Sequence, residues 1–102
     1  MNKSLTPWFV IQFKPKAHEA AEQNLKRQGF NTFLPLQEVT RRNGIQFSTK
    51  LEPLFSGYMF VTFEPTNAPW KKINNTIGVQ KLVSFNNQPI PMPDSLIPEL
   101  MA

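Results

Sequence analysis

The segment Gly57–Glu64, with the sequence GYMFVTFE, constrains the fold more than any other part of the chain. Side chains alternate across a strand, so Tyr58 and Phe60 lie on one side while Met59 and Val61 lie on the other. Because both sides are apolar, both faces of this strand need cover. Two outcomes stay open: a C-terminal helix completes a core around the strand, or part of one face remains exposed as a binding surface.

Composition limits the remaining possibilities. The 102 residues suit one domain, and an apolar content of 40% with nine Phe supplies enough bulk for a core. A net charge of +4 weakly favours an anionic partner. The absence of Cys excludes disulfides and is compatible with a reducing cytoplasm, and no apolar run approaches the ~20 residues that span a bilayer. We therefore expect a single cytoplasmic domain over residues 1–102 with no membrane partner.

Hydrophobic periodicity and turn residues predict the element order β-α-β-β-β-α-β-α. The Asn43-Gly44 dipeptide favours a type I′ hairpin turn. The predicted strands are Trp8–Lys14, Asn31–Thr40, Ile45–Leu51, Gly57–Glu64 and Val79–Phe85. The first predicted helix is Ala17–Gln28. A loop at Pro65–Pro69 precedes a short second helix that carries Trp70 and Ile73. A turn at Asn86–Pro89 precedes a final helical stretch that begins at Pro93. This order predicts an α+β fold, a mainly antiparallel sheet flanked by helices, with ferredoxin-like or RRM-like βαββαβ order and an inserted hairpin.

Catalytic chemistry has little support in the sequence. His18 is the only histidine, and it lies beside Glu19 and Glu22 on an Ala/Glu-rich helix whose composition is typical of exposed surface. The Glu residues lack motif spacing, and the sequence has no Gly-rich phosphate loop and no nucleophile elbow. We predict no catalytic residue, no metal site and no cofactor, and therefore no enzyme.

A dispersed polar and basic set has two interpretations. Asn24, Arg27 and Gln28 share one side of the predicted first helix, because residues three and four apart are neighbours on a helix. Lys14 and Lys16 lie at the junction that leads into this helix. Such a set can meet phosphates or base edges, and it is also typical of an ordinary solvated helix face. The sequence pattern leaves both interpretations open.

Four segments occur in the order found in the N-terminal domain of NusG-type transcription elongation factors. They are Trp8–Ile11, Leu25–Gly29, Glu52–Val61 and Ile77–Val79. The chain therefore resembles this family from about residue 8 to residue 100. Its EPLFSGYMFV segment is more similar to the specialised RfaH-like branch than to general NusG.

This resemblance implies a domain that docks through an apolar depression on the clamp helices of the largest RNA polymerase subunit. Such domains bridge the main channel, suppress pausing and raise processivity, and in the RfaH-like branch they act in antitermination in bacteria. The matching polymerase-binding positions are Trp8, Gln12, Phe55, Ser56, Tyr58 and Phe60, with Trp70 and Lys71 facing the opposing polymerase lobe. Ser56 stands where the family usually has Pro, and Gln12 where an aromatic residue is common.

The resemblance to RfaH-like members also implies contact with the exposed non-template DNA strand of a paused complex. The matching DNA-binding positions are Lys14, Lys16, Asn24, Arg27, Gln28 and Thr76. A groove that combines cations with polar side chains suits a short single-stranded loop. The full-length protein is expected to carry a C-terminal KOW domain and to be a monomer.

An RRM-like RNA-binding module is the alternative. The segment Gly57–Phe63 partly matches the aromatic strand motif on which RNA bases stack, and the βαββαβ order is shared. Met59 replaces the usual small residue of that motif, and Ser56 replaces the basic one. A small enzyme of ferredoxin-like fold is a third possibility, although it has no catalytic constellation to support it.

Overall fold

The structure is a computed structural model that describes residues 7–64 and 70–101. The predicted loop Pro65–Pro69 lies outside the described residues. In chain order the elements are β1 (Trp8–Phe13), α1 (His18–Arg27), β2 (Asn31–Phe33), β3 (Leu36–Asn43), β4 (Gln46–Pro53), β5 (Tyr58–Thr62), a 3₁₀ helix (Trp70–Asn75), β6 (Val79–Leu82), β7 (Ser84–Phe85), β8 (Gln88–Pro89) and α2 (Leu96–Met101). No helix within these ranges is long and apolar enough to cross a membrane.

A four-stranded sheet with the order β2-β5-β1-β6 forms the centre of the fold. Each of its three pairings is antiparallel, and β1 pairs with β5 from Trp8 opposite Thr62 to Gln12 opposite Tyr58. Helices flank this sheet. Strands β3 and β4 form a separate two-stranded hairpin. The predicted α+β class, mainly antiparallel with an inserted hairpin, is therefore confirmed.

The inner face of the sheet, which carries Phe9, Ile11, Met59 and Val61, holds the main core. All four side chains are buried, and the ring of Phe9 stacks on Phe63 at a centroid distance of 4.4 Å. Burial of side chains of this size is the main source of stability in a domain of this length, at ~1.5–3 kcal/mol each. The helix and loops that lie against the sheet are therefore held mainly by packing on this inner face.

Helix α1 covers the inner face with a narrow stripe. Ala21 and Leu25, four residues apart, are its buried residues. The helix ends in a Schellman motif, in which Gly29 donates to the Lys26 carbonyl at 3.0 Å and Phe30 donates to the Leu25 carbonyl at 3.1 Å. Gly29 has a φ of 92°, which favours glycine. The helix is one residue shorter at each end than the predicted Ala17–Gln28.

The outer face of the sheet, which carries Val10, Tyr58 and Phe60, is only partly covered. The chain before α2 docks along it, because Met92 donates a backbone hydrogen bond to the Trp8 carbonyl at 2.8 Å. Phe60 is buried at 5% exposure, whereas Tyr58 remains 41% exposed. Of the two outcomes left open by the two-sided strand, the second is therefore observed: part of this face remains exposed, at Tyr58.

The β3–β4 hairpin pairs in register over eight positions, from Leu36 opposite Pro53 to Asn43 opposite Gln46. The predicted tight turn is present, but the paired Asn43 lies before it and the two loop residues are Gly44 and Ile45. Gly44 alone of these two has a positive φ, at 64°. A type I′ turn needs positive φ at both central residues, so that part of the prediction is wrong.

Two predicted strands are interrupted in the structure. The strand predicted over Asn31–Thr40 breaks at Leu34-Pro35, because Pro cannot donate to a sheet ladder. The strand predicted over Val79–Phe85 ends at Leu82, and β7 then pairs with β8 in a small hairpin of its own. Asn86 and Asn87 connect these two strands with φ values of 53° and 61°, the pattern of a type I′ turn.

We expect Gly78→Ala to destabilise the fold strongly. Gly78 has a φ of 94°, and a Cβ there would lie 2.6 Å from the backbone nitrogen of Ala21 in α1. We predict that urea unfolding shows a loss of more than about 3 kcal/mol. Gly29→Ala is the matched control, because Gly29 has a similar φ of 92° and nothing within 4 Å of its added Cβ. Backbone strain alone predicts about 1 kcal/mol there, and equal losses would contradict a steric role for the Gly78 contact.

Candidate functional site

An apolar depression on the outer face of the sheet is the first candidate site. It has a volume of about 340 Å³ and is lined by Val10, Phe55, Tyr58, Phe60, Met92 and Leu96. None of these six side chains carries a charge. Val10 and Phe60 are directly opposed in the β1–β5 ladder and so lie side by side in its floor.

Aromatic rings build the floor and the rim of the depression. Phe60 stacks on Phe33 at 6.2 Å between centroids and meets Phe55 edge to face at 6.0 Å. Phe33 in turn contacts Trp8 edge to face at 6.4 Å. Phe55 and Tyr58 on the rim are 40% and 41% exposed, whereas Phe60 is 5% exposed. The depression thus has a buried floor and a rim of half-exposed rings.

A tight turn before β5 positions the rim residue Phe55. Tyr58 donates a backbone hydrogen bond to the Phe55 carbonyl at 3.3 Å, and Gly57 between them has a φ of 88°. The Gly57 carbonyl accepts from the Phe13 amide at 2.8 Å, which ties the turn to the end of β1. Leu54 donates to the Pro35 carbonyl at 2.8 Å. The turn is therefore held from two sides.

The structure brings some of the predicted polymerase-binding residues together and separates others. Phe55, Tyr58 and Phe60 line the depression, and Trp8 lies on the same face through its contact with Phe33. Gln12 and Ser56 line a neighbouring pocket instead. Trp70 and Lys71 line a further pocket, in which the Lys71 amine lies 5.9 Å from the centre of the Trp70 ring.

Val10, Met92 and Leu96 also line the depression but were not predicted as site residues. Strand alternation could have identified Val10, because it shares a face with the predicted Trp8 and Gln12. Met92 precedes the last helix and Leu96 begins it, and no sequence pattern indicates where that helix docks. Only the fold places these two side chains beside Phe60.

A polar cluster formed by α1 and the loop between the 3₁₀ helix and β6 is the second candidate site. Gln28 donates from Nε2 to the Thr76 hydroxyl at 2.8 Å, and Thr76 donates onward to the Lys72 carbonyl at 3.0 Å. Asn24 donates from Nδ2 to the Ile77 carbonyl at 3.3 Å, and its Oδ1 accepts from Arg27 at 3.4 Å. Gln28 also donates from Nε2 to the Asn24 carbonyl at 3.2 Å, so four of the six predicted DNA-binding residues form one hydrogen-bonded group.

The internal bonds of this cluster leave Arg27 as its most available member. Thr76 is buried at 6% exposure, and its hydroxyl both accepts and donates within the protein. Asn24 also donates to the Ala20 carbonyl at 2.8 Å, so its amide is anchored twice. Arg27 is exposed and has further N–H groups beyond the one that meets Asn24. A cation held against fixed polar neighbours is suited to phosphate contact.

Lys14 and Lys16, the other two predicted DNA-binding residues, lie beside this cluster on the exposed turn before α1. The Lys14 amide donates to the Gly78 carbonyl at 2.9 Å, and Gly78 directly follows Ile77. Lys16 has a φ of 59°, a left-handed conformation that is uncommon for residues other than glycine. The structure thus joins the turn to the cluster through the segment that contains Thr76 and Gly78.

The fold and the sequence both match known proteins. Among solved structures, the fold is similar to one that concerns domain interaction in Thermotoga maritima NusG, with a TM-score of 0.58 and 21% sequence identity. That match covers 89% of this chain and 52% of the other, so this chain spans about half of it. The architecture is that of a NusG N-terminal domain.

A protein-family model described as "Transcription termination factor nusG" matches residues 6–101. The chain belongs to the NusG family, which comprises transcription termination and elongation factors rather than enzymes and acts with the transcription machinery. No group of three or more His, Asp or Glu residues that could hold a metal ion occurs in residues 7–64 and 70–101.

We predict that Thr76→Val loosens the polar cluster. The substitution removes the hydroxyl that accepts from Gln28 and donates to Lys72, and a lost buried hydrogen bond costs about 1–2 kcal/mol. Thermal unfolding measures the loss, and the side-chain amide resonances of Gln28 should shift and sharpen as that side chain gains freedom. Thr49→Val is the control, since the Thr49 hydroxyl bonds with the exposed Thr40 hydroxyl, at 3.0 Å, on the hairpin and away from the cluster. Unchanged Gln28 resonances would contradict the role of Thr76 as an anchor.

Proposed function

We propose that this chain is the polymerase-binding domain of an RfaH-like antitermination factor that docks on the clamp helices of the largest RNA polymerase subunit. The observation that carries this proposal is the uncharged depression with a buried Phe60 floor and a rim formed by Phe55 and Tyr58. An exposed apolar surface of this kind marks an interaction site. Bound there, the domain would hold the clamp, suppress pausing and raise processivity.

The shape of the depression suits a helical partner. An amphipathic helix binds by laying apolar side chains into a groove, and a few buried aromatic contacts supply most of the affinity. Phe60 is fixed by its ring contacts with Phe33 and Phe55, so little side-chain entropy is lost on docking. The half-exposed rings of Phe55 and Tyr58 retain apolar area that a partner can bury.

The pocket beside Trp70 and Lys71 supports a second polymerase contact. Trp70 is half-buried, and the Lys71 amine lies near its ring, which leaves a cation and an aromatic edge at the surface. This pocket is separate from the depression. We propose that it faces the opposing polymerase lobe, so that the domain bridges the channel.

Truncation of either rim ring should weaken docking without unfolding the domain. We predict that Phe55→Ala and Tyr58→Ala each weaken binding to a clamp-helix coiled coil at least about tenfold, because each truncates an interface aromatic. Isothermal titration calorimetry measures the affinity, and circular dichroism checks the fold. These positions are preferable to Phe60, whose burial makes its truncation destabilising.

Phe47→Ala is the matched control for these two variants. Phe47 is an exposed aromatic on the β3–β4 hairpin, at 67% exposure, and it does not line the depression. Its truncation should leave clamp-helix affinity unchanged. Equal weakening by all three variants, or full affinity in the Phe55 and Tyr58 variants, would show that the depression is not the docking site.

We further propose that the polar cluster contacts the non-template DNA strand exposed in a paused complex. Arg27 supplies the available cation, Gln28 and Asn24 are fixed beside it, and Lys14 lies on the adjoining turn. Single-stranded nucleic acid is bound by such grooves of cations and polar groups. The hydrogen bonds within the cluster support the proposal, because they hold its side chains in position in the free protein.

We predict that Arg27→Ala reduces recruitment to a paused polymerase complex while clamp-helix affinity stays intact. Loss of one phosphate contact should make the salt dependence of single-strand binding shallower by about 0.7 in log–log slope. Arg42→Ala is the control, because Arg42 lies on the hairpin near the Phe47 ring, at 5.8 Å, rather than in the cluster. Unchanged recruitment of the Arg27 variant would remove Arg27 from the DNA site.

Burial of Phe60 favours polymerase docking over the RRM-like alternative. Base stacking on an RRM sheet needs open aromatic faces, whereas Phe60 lies at 5% exposure beneath neighbouring side chains. Micromolar binding of single-stranded RNA through Phe55 and Tyr58, without clamp-helix binding, would favour the RRM-like function. By family resemblance we also expect a cytoplasmic monomer whose full-length form carries a C-terminal KOW domain.

A further inference from the structure

A basic pocket opens at the end of the sheet where β1 finishes and β5 and β6 begin. Its volume is about 570 Å³, and its polar lining comes from Gln12, Lys16, Ser56, Gln80 and Lys81. Phe13, Pro15 and Gly57 complete the wall. Neither Gln80 nor Lys81 was singled out by the sequence.

An irregularity in the β1–β6 ladder places the polar side chains of this pocket. Gln12 lies opposite Lys81, whereas Phe13 lies opposite Val79, so the register shifts by one residue and Gln80 is left between them. Bulges of this kind redirect a side chain at the edge of a sheet. Lys16 reaches the pocket from the turn after β1, where its φ is 59°.

The charge of the pocket is uncompensated within the described part of the chain. No carboxylate lines it. Neither Lys16 nor Lys81 forms an ion pair with another described residue, in contrast to Lys26, which lies 3.6 Å from Glu22. Two amines that share one concave site with amide side chains form a receptor for an anion.

The basic pocket adjoins the polar cluster of the proposed DNA site. The Lys14 amide bonds to the Gly78 carbonyl, which follows Thr76 and Ile77 in the cluster and precedes the β6 residues of the pocket. Lys16 lies two residues after Lys14 on the same turn. The turn that carries Lys14 and Lys16 therefore joins the polar cluster to the pocket.

We infer that Lys16 and Lys81 bind backbone phosphates of the single-stranded DNA that contacts Arg27, which extends the DNA path across the end of the sheet. This inference rests on the proposed DNA contact, adds Lys81 to it, and assigns the predicted DNA-binding residue Lys16 to the pocket rather than to the polar cluster. The amides of Gln12 and Gln80 donate to the same phosphates or to a neighbouring base. Protein carboxylates are the competing ligand for these lysines.

The test compares two doubly substituted chains that lose the same charge. One is Lys16→Gln with Lys81→Gln, and the control is Lys26→Gln with Lys50→Gln, two exposed lysines outside the pocket. Fluorescence anisotropy with a twelve-nucleotide oligothymidylate is measured across a series of KCl concentrations. We expect the first pair to make the log–log salt slope shallower by about 1.4, at roughly 0.7 per phosphate, while the control keeps the parent slope.

NMR titration of the parent chain with the same oligonucleotide separates this inference from the proposed function. Shifts at Gly57 and Lys81 together with shifts at Arg27 and Thr76 support both. Shifts at Arg27 and Thr76 alone, with equal slopes for the two double variants, overturn the phosphate pocket and leave the proposed DNA contact standing. Shifts at Gly57 and Lys81 alone overturn the contact at Arg27 and, with it, the continuous DNA path from Arg27 to the pocket.

Two further outcomes overturn the phosphate pocket. The absence of any oligothymidylate binding at 50 mM KCl, roughly the low end of the range in which such contacts are measured, removes both DNA sites. Binding of an acidic clamp-helix peptide that shifts Lys81 and is weakened by Lys16→Gln with Lys81→Gln, without oligonucleotide binding, assigns the pocket to a protein carboxylate instead.

Discussion

The antiparallel pairing of β1 with β5 is the interaction on which the other features depend. Its register sets Val10 beside Phe60 on the outer face, while Phe9 and Val61 are opposed on the inner face. Since side chains alternate, one ladder supplies both the wall of the core and the floor of the depression. A slip of one residue would exchange these two roles and expose the core side chains.

The two candidate surfaces depend on contacts between segments that are distant in sequence. The depression needs Met92 and Leu96 beside Phe60, and the backbone bond from Met92 to Trp8 holds that C-terminal segment in place. The polar cluster needs the close approach of Gly78 to α1, which brings Thr76 within 2.8 Å of Gln28. Each surface is therefore a product of the fold rather than of one motif.

The sequence predicts the α+β class and the central strands well, because alternation and β-branched content mark β1 and β5 directly. Strand alternation also predicts Tyr58 and Phe60 on one face, whereas Phe55 is predicted beside them only through the family resemblance. The sequence cannot locate Met92 and Leu96, because the position at which a short final helix docks depends on contacts with residues distant in sequence. The register shift between Gln12 and Phe13 cannot be predicted either, since a ladder irregularity depends on both strands, and so the sequence does not place Lys81 in the basic pocket.

The separate β3–β4 hairpin has a consequence for how proteins of this architecture can diverge. Its eight residue pairs form a two-stranded sheet of their own, apart from the central four strands. Adding or deleting two residues on each strand keeps every side chain on its original face and changes the reach of the hairpin by about 7 Å. The hairpin is thus an arm of adjustable length, which selection can extend or shorten while the core stays constant.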